Sequence, residues 1–274
     1  AVFVIAESGG AHEGDFARAQ RMLHAAERAG ADAVKFQVYD PDKLVSPDLP
    51  ALVPTHRTQL ERMRSLQFSP SQYRHLALEA QAAGLVWTAS AFDRESVDLV
   101  AELSPCIKVA SGELTNLPLL HYIAGKGRPV LLSTGMATDE EVASAFEALS
   151  PAPTVLLHCV SLYPTPEGDA NLGEIRRLWH GVVGYSDHTK GILACCVAAA
   201  VGARIIEKHF TDLEPDVAAR TPGDHCHALN EKGFADMVRG IRQIERLLKP
   251  WPGERPDMAM RAKLRRGPGG LRGA

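Results

Sequence analysis

Eight short apolar runs, each followed by a longer stretch with helical periodicity, constrain this chain more than any other feature. They are VFVIA at 2–6, DAVKFQ at 32–37, LVWTAS at 85–90, CIKVA at 106–110, RPVLLS at 128–133, TVLLHC at 154–159, GVVGYS at 181–186 and ARIIEKH at 203–209. Such runs are what strands covered on both faces require. The intervening segments read as amphipathic helices, for example over 15–29, 71–83 and 139–149, with Gly30 and Gly84 placed as C-caps of the first two. Eight strand and helix units predict an α/β fold of the (β/α)8 TIM barrel type. The competing architecture is a doubly wound open sheet. It usually has fewer strands and a glycine-rich phosphate turn after the first, where this chain reads AESGGAHEG at 6–14.

The 274 residues suit one such barrel, expected over 1–249, followed by a Pro-, Gly- and Arg-rich tail or linker at 250–274. One connection, 38–69, is unusually long and holds a short helical stretch near 57–65, which suggests a lid or substrate wall. A net charge of −3 gives no general reason to expect nucleic acid or an acidic membrane as partner, so any anion has to be bound locally. Five cysteines, an odd number set in apolar segments, fit buried thiols in a reducing compartment better than a disulfide framework. The opening AVFVIAE lacks the basic start and cleavage site of a signal peptide, and no uncharged stretch is long enough to cross a bilayer. A cytoplasmic location without membrane attachment is the expectation.

In a barrel of this kind the active site forms at the carboxyl ends of the strands. The polar residues that interrupt or end the runs are Glu7, Lys35, Gln37, Ser90, Lys108, Ser111, Glu113, Ser133, His158, Tyr163, Ser186, Asp187, His188, Glu207, Lys208 and His209. Ammonium groups, hydroxyls and backbone amides of the SGE and STG turns suit a phosphate. Two imidazoles on adjacent strands, His188 and His209, can hold one divalent cation and leave positions open for water and substrate. Each residue alone is as readily a packing or ion-pairing group; the combination on one rim carries the reading. Cys159 and Cys226 have no visible activating arrangement and are read as structural.

The segments AESGGAHEG, AGADAVKFQ at 29–37, KVASGELTN at 108–116, LLSTGM at 131–136, LLHCVSLYPTP at 156–166, GYSDHT at 184–189 and IEKHFT at 206–211 resemble the N-acetylneuraminate synthase family, which includes the legionaminic and pseudaminic acid synthases. The resemblance runs from Phe3 to about Leu248. It implies an enzyme that condenses phosphoenolpyruvate with an aldose to give a sialic-acid-type keto sugar acid and phosphate. It further implies that Lys35, Ser90, Lys108, Ser111, Ser133 and Ser186 cradle phosphoenolpyruvate. His188 and His209 would hold manganese, or else magnesium or cobalt, while Glu7, Gln37, Glu113, Tyr163, Glu207 and Asp224 address the sugar or ordered water. A homodimer is the implied assembly.

Three departures bear on the sugar. Ala11 stands where the family usually has Asn, and TPGDHCH at 221–227 replaces the usual Pro-Gly-Pro-Asp-His loop. The third is at the end of the sequence, where family members continue into an antifreeze-like domain that supplies an Arg to the acetamido group across the dimer. The expectation is a sugar without an N-acetyl group, or a substitute contact from the 38–69 loop or the tail. Two rival readings remain open at this stage. One is a metal-free aldolase with Lys35 or Lys108 as Schiff base; the other is a non-catalytic barrel that binds a phosphorylated metabolite.

Overall fold

The computed structural model describes residues 1–177 and 181–250; beyond Pro250 the predicted tail lies outside the described residues. Strands β1 (Phe3–Glu7), β2 (Ala33–Val38), β3 (Val86–Ala91), β4 (Ile107–Val109), β5 (Val130–Ser133), β6 (Thr154–Cys159), β7 (Val183–Asp187) and β8 (Ile205–His209) pair in chain order. All pairs are parallel, and β8 returns to β1 to close a barrel. The predicted (β/α)8 architecture is the one observed.

The helices begin where the sequence supplies caps. Asp15 accepts a hydrogen bond from Arg18 N at the start of the helix Phe16–Arg28, and Thr138 with Glu141 forms a reciprocal capping box at the start of Asp139–Ala148. The first of these helices turns Ala19, Met22, Leu23 and Ala26 onto the barrel's outer surface. Each large apolar side chain so buried stabilises the fold by about 1.5–3 kcal/mol. Helix and strand together make the larger of two apolar clusters.

The smaller cluster fills the barrel interior, with Ile5, Ala33, Leu131 and Leu157 at its centre and Phe3, Val86, Cys106, Val155 and Ile205 around them. Side chains along a strand alternate between faces. Two residues beyond this apolar layer, the same interior rows therefore present Glu7, Lys35, Ser133, Cys159 and Glu207. Another step places Gln37 and His209. The interior thus changes from hydrocarbon to polar within one strand length, and the polar end is the carboxyl end. Gly184 belongs to the tight layer: a Cβ there would lie 2.3 Å from Leu157 Cδ2 and 2.8 Å from Ile205 O.

The alternation also separates the rim residues into two groups. His158, Asp187 and Lys208 are on the outer phase, toward the helices. Asp187 accepts from Lys208 Nζ at 2.7 Å, from Tyr185 Oη at 2.9 Å and from Cys195 Sγ, on the helix Leu193–Val201, at 3.2 Å. Lys208 also donates to the carbonyl of Thr189. His158 Nε2 donates to Ala170 O at 2.9 Å. These three groups, placed on the rim by sequence position, belong to the packing behind it.

Candidate active site

At the carboxyl end the two buried carboxylates and the lysine of β2 form one cluster. Lys35 Nζ lies 2.6 Å from Glu7 Oε2 and 3.8 Å from Glu207 Oε1, and it donates to Ser90 Oγ at 3.1 Å. Gln37 Nε2 reaches Glu7 Oε1 at 3.5 Å, and Ser186 Oγ donates to Glu207 Oε1 at 2.9 Å. Register makes this possible: Glu7 stands opposite Lys35, and Ser186 opposite Glu207. The electrostatics of the two carboxyls diverge. Burial pushes Glu7 up to about 7 against the pull of Lys35. Burial acts in the same direction on Glu207, but Lys35 and Lys108 outweigh it and hold that carboxyl below its ordinary value. Burial opposes the Lys35 ammonium, and the charges of Glu207 and Glu7 more than restore it.

The second group sits on the next two strands, β4 and β5, with Lys108 opposite Ser90 in register. Lys108 Nζ donates at 2.7 Å to Ser133 Oγ and to Val109 O; burial lowers its proton affinity. Nearby, Ser111 Oγ accepts from Gly135 N at 3.1 Å. A Cβ at Gly135 would lie 2.3 Å from Ser161 Oγ and 2.8 Å from Ser111 Oγ, so only glycine lets both hydroxyls approach this turn. Ser161 Oγ is buried without a hydrogen-bond partner. Sequence reasoning passed over Ser161, although it lies inside the LLHCVSLYPTP segment.

The imidazoles occupy the side of β7 and β8. His188 Nδ1 donates to Val160 O at 2.8 Å, which leaves Nε2 as a lone-pair donor. The His188 and His209 ring centroids are 5.5 Å apart, and Tyr163 lies over His188 at 4.0 Å. Burial, followed by the neighbouring His227 and His188, drives His209 well below its ordinary value, so it is the neutral form that a cation needs. Its Nδ1 is buried without a partner. Among the described residues no three His, Cys, Asp or Glu side chains form a ready cation site. The residues present fit a divalent cation held by the His188 and His209 imidazoles, with the remaining positions left to oxygen ligands.

Above these groups the 38–69 connection forms a wall, with helices Pro41–Leu44 and Gln59–Leu66. Leu52, Val53, Gln59, Arg62, Met63 and Leu66 from it face Gln37, Tyr163, His209 and Asp224 across a cavity of about 400 Å³. Asp224 accepts from Gly10 N at 2.6 Å. A Cβ on Gly9, whose φ is +49°, would meet Asp224 Oδ2 at 2.5 Å, so the first and last strand-to-helix loops close against each other only through glycine. Glu113 stands apart from this ring, on the turn Ser111–Glu113, and takes Asn116 Nδ2 at 2.9 Å. Ala11, which stands in place of the family Asn, is 1% exposed and packs in the outer apolar cluster. Arg62 and His227 are further residues of this region that the sequence reading did not single out. No periodicity in a loop announces where its side chains point.

A closed parallel barrel with ammonium, hydroxyl, carboxylate and imidazole groups gathered at the carboxyl ends of its strands defines a barrel enzyme of the β/α class. More narrowly, the chain belongs to the NeuB family, whose model matches residues 22–251. It is 36% identical over 281 residues to an N,N'-diacetyllegionaminic acid synthase of Legionella pneumophila, covering 94% of this chain and 78% of that one. It is 34% identical to the human N-acetylneuraminate-9-phosphate synthase, over 90% of this chain and 71% of the other. Among solved structures, an N-acetylneuraminic acid (sialic acid) synthetase from Leptospira borgpetersenii superposes with a TM-score of 0.85 at 32% identity, covering 97% and 93% of the two chains. The family resemblance read from the sequence is thereby established, and the chain is a sugar-acid synthase by kinship. No helix among the described residues is long and apolar enough to cross a membrane.

Proposed function

We propose that this protein condenses phosphoenolpyruvate with an aldose, assisted by a divalent cation, to give a 2-keto-3-deoxy sugar acid and phosphate. The observation that carries the reading is the split between two anion-ready groups and one cation-ready pair within a single barrel mouth. Lys35 with Ser90, and Lys108 with Ser133, offer ammonium and hydroxyl donors to the carboxylate and phosphate of phosphoenolpyruvate. Ser111, Ser161 and the Gly135 turn form a small cradle beside them. His188 and His209 would hold the cation, which when bound supplies Lewis-acid polarisation of the aldehyde oxygen.

The methylene carbon of phosphoenolpyruvate forms the new bond to the aldehyde carbon, and the aldehyde oxygen takes up a proton to become a hydroxyl. Glu7, whose carboxyl is pushed up to about 7 by burial, would give that proton. Water adds to the electron-poor C2 centre, and the resulting tetrahedral carbon expels phosphate. Glu207, ionised beside Lys35 and Lys108, stabilises positive charge at C2 and accepts from the adding water. Asp224, Gln37 and Tyr163 border the cavity in which the sugar hydroxyls would lie.

Phosphate release by metal-stripped protein, with and without Mn²⁺, across acetamido and unsubstituted aldoses tests the proposal. Release that requires both metal and one aldose is the expected result; release indifferent to both would overturn it. The Schiff-base reading has one observation in its favour, the lowered proton affinity of buried Lys108. Borohydride trapping of pyruvate on Lys108, read by mass spectrometry, would replace the present proposal with that one.

A further inference from the structure

His227 ends the turn Gly223–His227 that follows β8. The main chain then runs back beside the strand: Leu229 N donates to His209 O, and Thr211 N to Leu229 O, both at 2.9 Å. This pairing fixes the His227 ring against the His209 ring, with centroids 4.5 Å apart and planes at 69°. His227 is 2% exposed. Its Nδ1 lies 3.6 Å from Cys226 Sγ, a weak contact, while its Nε2 is buried without a partner. The Nδ1 atom of His209 is buried and unpartnered as well.

Two adjacent imidazoles therefore each carry one unsatisfied nitrogen, a combination that native interiors avoid. His188 shows the arrangement that the other member of the pair lacks: its Nδ1 is committed to Val160 O, and its tautomer is set by that bond. A histidine that binds a metal ordinarily needs such an outer partner. The neighbours facing His227 leave no better candidate, since Tyr163 and His188 meet it ring to ring at 5.4 and 5.8 Å.

We infer that His227 is the positioning residue for His209, accepting its Nδ1–H on Nε2 through one bridging water, since neither nitrogen has a partner within the protein. His209 is thereby held in the tautomer that leaves its Nε2 lone pair free. The inference deepens the cation reading of His188 and His209 and rests on it. It adds a residue that lies outside the strand pattern on which those two were found. The turn sequence TPGDHCH, which departs from the family loop, thus acquires a task of its own.

The test uses the whole chain with ¹⁵N-labelled histidine, first without metal. In the unsubstituted protein the His209 ring is expected as the Nδ1–H tautomer. His227→Phe and His227→Leu remove the acceptor and are expected to shift His209 toward the Nε2–H form. His227→Gln retains an acceptor and keeps the original tautomer. Mn²⁺ affinity, measured by calorimetry, should fall about 10- to 100-fold in the Phe and Leu variants and recover in the Gln variant. Melting curves for all three variants separate this from a failure to fold. An unchanged tautomer in both apolar variants would overturn the inference, as would three imidazole couplings in the Mn²⁺ electron-spin-echo spectrum, which would make His227 a direct ligand. Because the tautomer is read without metal, its outcome is independent of whether the cation reading itself holds.

Discussion

Glu7 and Glu207 face the same ammonium from neighbouring strands, yet their proton affinities move in opposite directions. Glu7 has Lys35 alone to offset its burial, whereas Glu207 has Lys35 and Lys108. Divergent carboxyls in one site mark separate acid and anion roles. If Glu7 gives the proton to the new hydroxyl, its acid form must be present, and that form is lost as pH rises through about 7. The pH profile of kcat/KM is then expected to fall above neutrality. In Glu7→Gln that limb disappears, and the remaining rate is lower by about 10²- to 10⁴-fold. A profile with the same limb in the variant would assign the ionisation elsewhere. The residue types at this site were legible in the sequence because they interrupt apolar runs. Their division of labour was not, since it depends on a 2.6 Å approach between Lys35 and Glu7 across two strands.

At the scale of elements, all eight strands were legible, because a strand buried on both faces has to be apolar for most of its length. What position alone did not resolve was phase. IEKH contains two candidate site residues and one that is not: Glu207 and His209 point inward, while Lys208, between them, pairs outward with Asp187. The period of two settles this once the apolar interior row at Ile5, Ala33, Leu131 and Leu157 is known. The pair is fully buried, with both side chains at 0% exposure. Removing one partner from a buried ion pair costs about 3–5 kcal/mol, since the other is left unpaired. Lys208→Met strips Asp187 of its cation but leaves the Tyr185, Thr189 and Cys195 donors. Its cost is therefore expected at the low end, roughly 3 kcal/mol, or a melting temperature about 6–12 °C lower. Differential scanning fluorimetry decides it; an unchanged melting temperature would show that the remaining donors satisfy Asp187 without the lysine.

At the scale of the whole molecule, the site is completed by chain segments that the barrel brings together from far apart. The connection after β2 was legible as a wall because so long a connection is rare in a compact domain. Which of its residues faces the cavity was not legible, because that depends on the helix Gln59–Leu66 docking over the turn at Gly223. There Arg62 Nη2 lies 2.8 Å from where a Cβ on Gly223 would be, so a side chain at that glycine would displace the guanidinium. Arg62 forms no ion pair among the described residues. It shares the 400 Å³ cavity with Gln37, Tyr163 and Asp224 on the polar side and with Leu52, Val53, Met63 and Leu66 on the apolar side. On the proposed function the lysines at the strand ends would hold phosphoenolpyruvate, deeper than Arg62, and the guanidinium would then meet the second substrate. In Arg62→Ala the KM for the aldose is expected to rise about tenfold, the loss of one hydrogen bond to a charged donor. The KM for phosphoenolpyruvate and kcat should change by less than about threefold, because binding lost equally from ground and transition states leaves kcat alone. Initial-rate kinetics with each substrate varied separately distinguish the outcomes. A rise confined to phosphoenolpyruvate would place the anion site at the cavity mouth and reverse the assignment of the two substrates along the barrel axis.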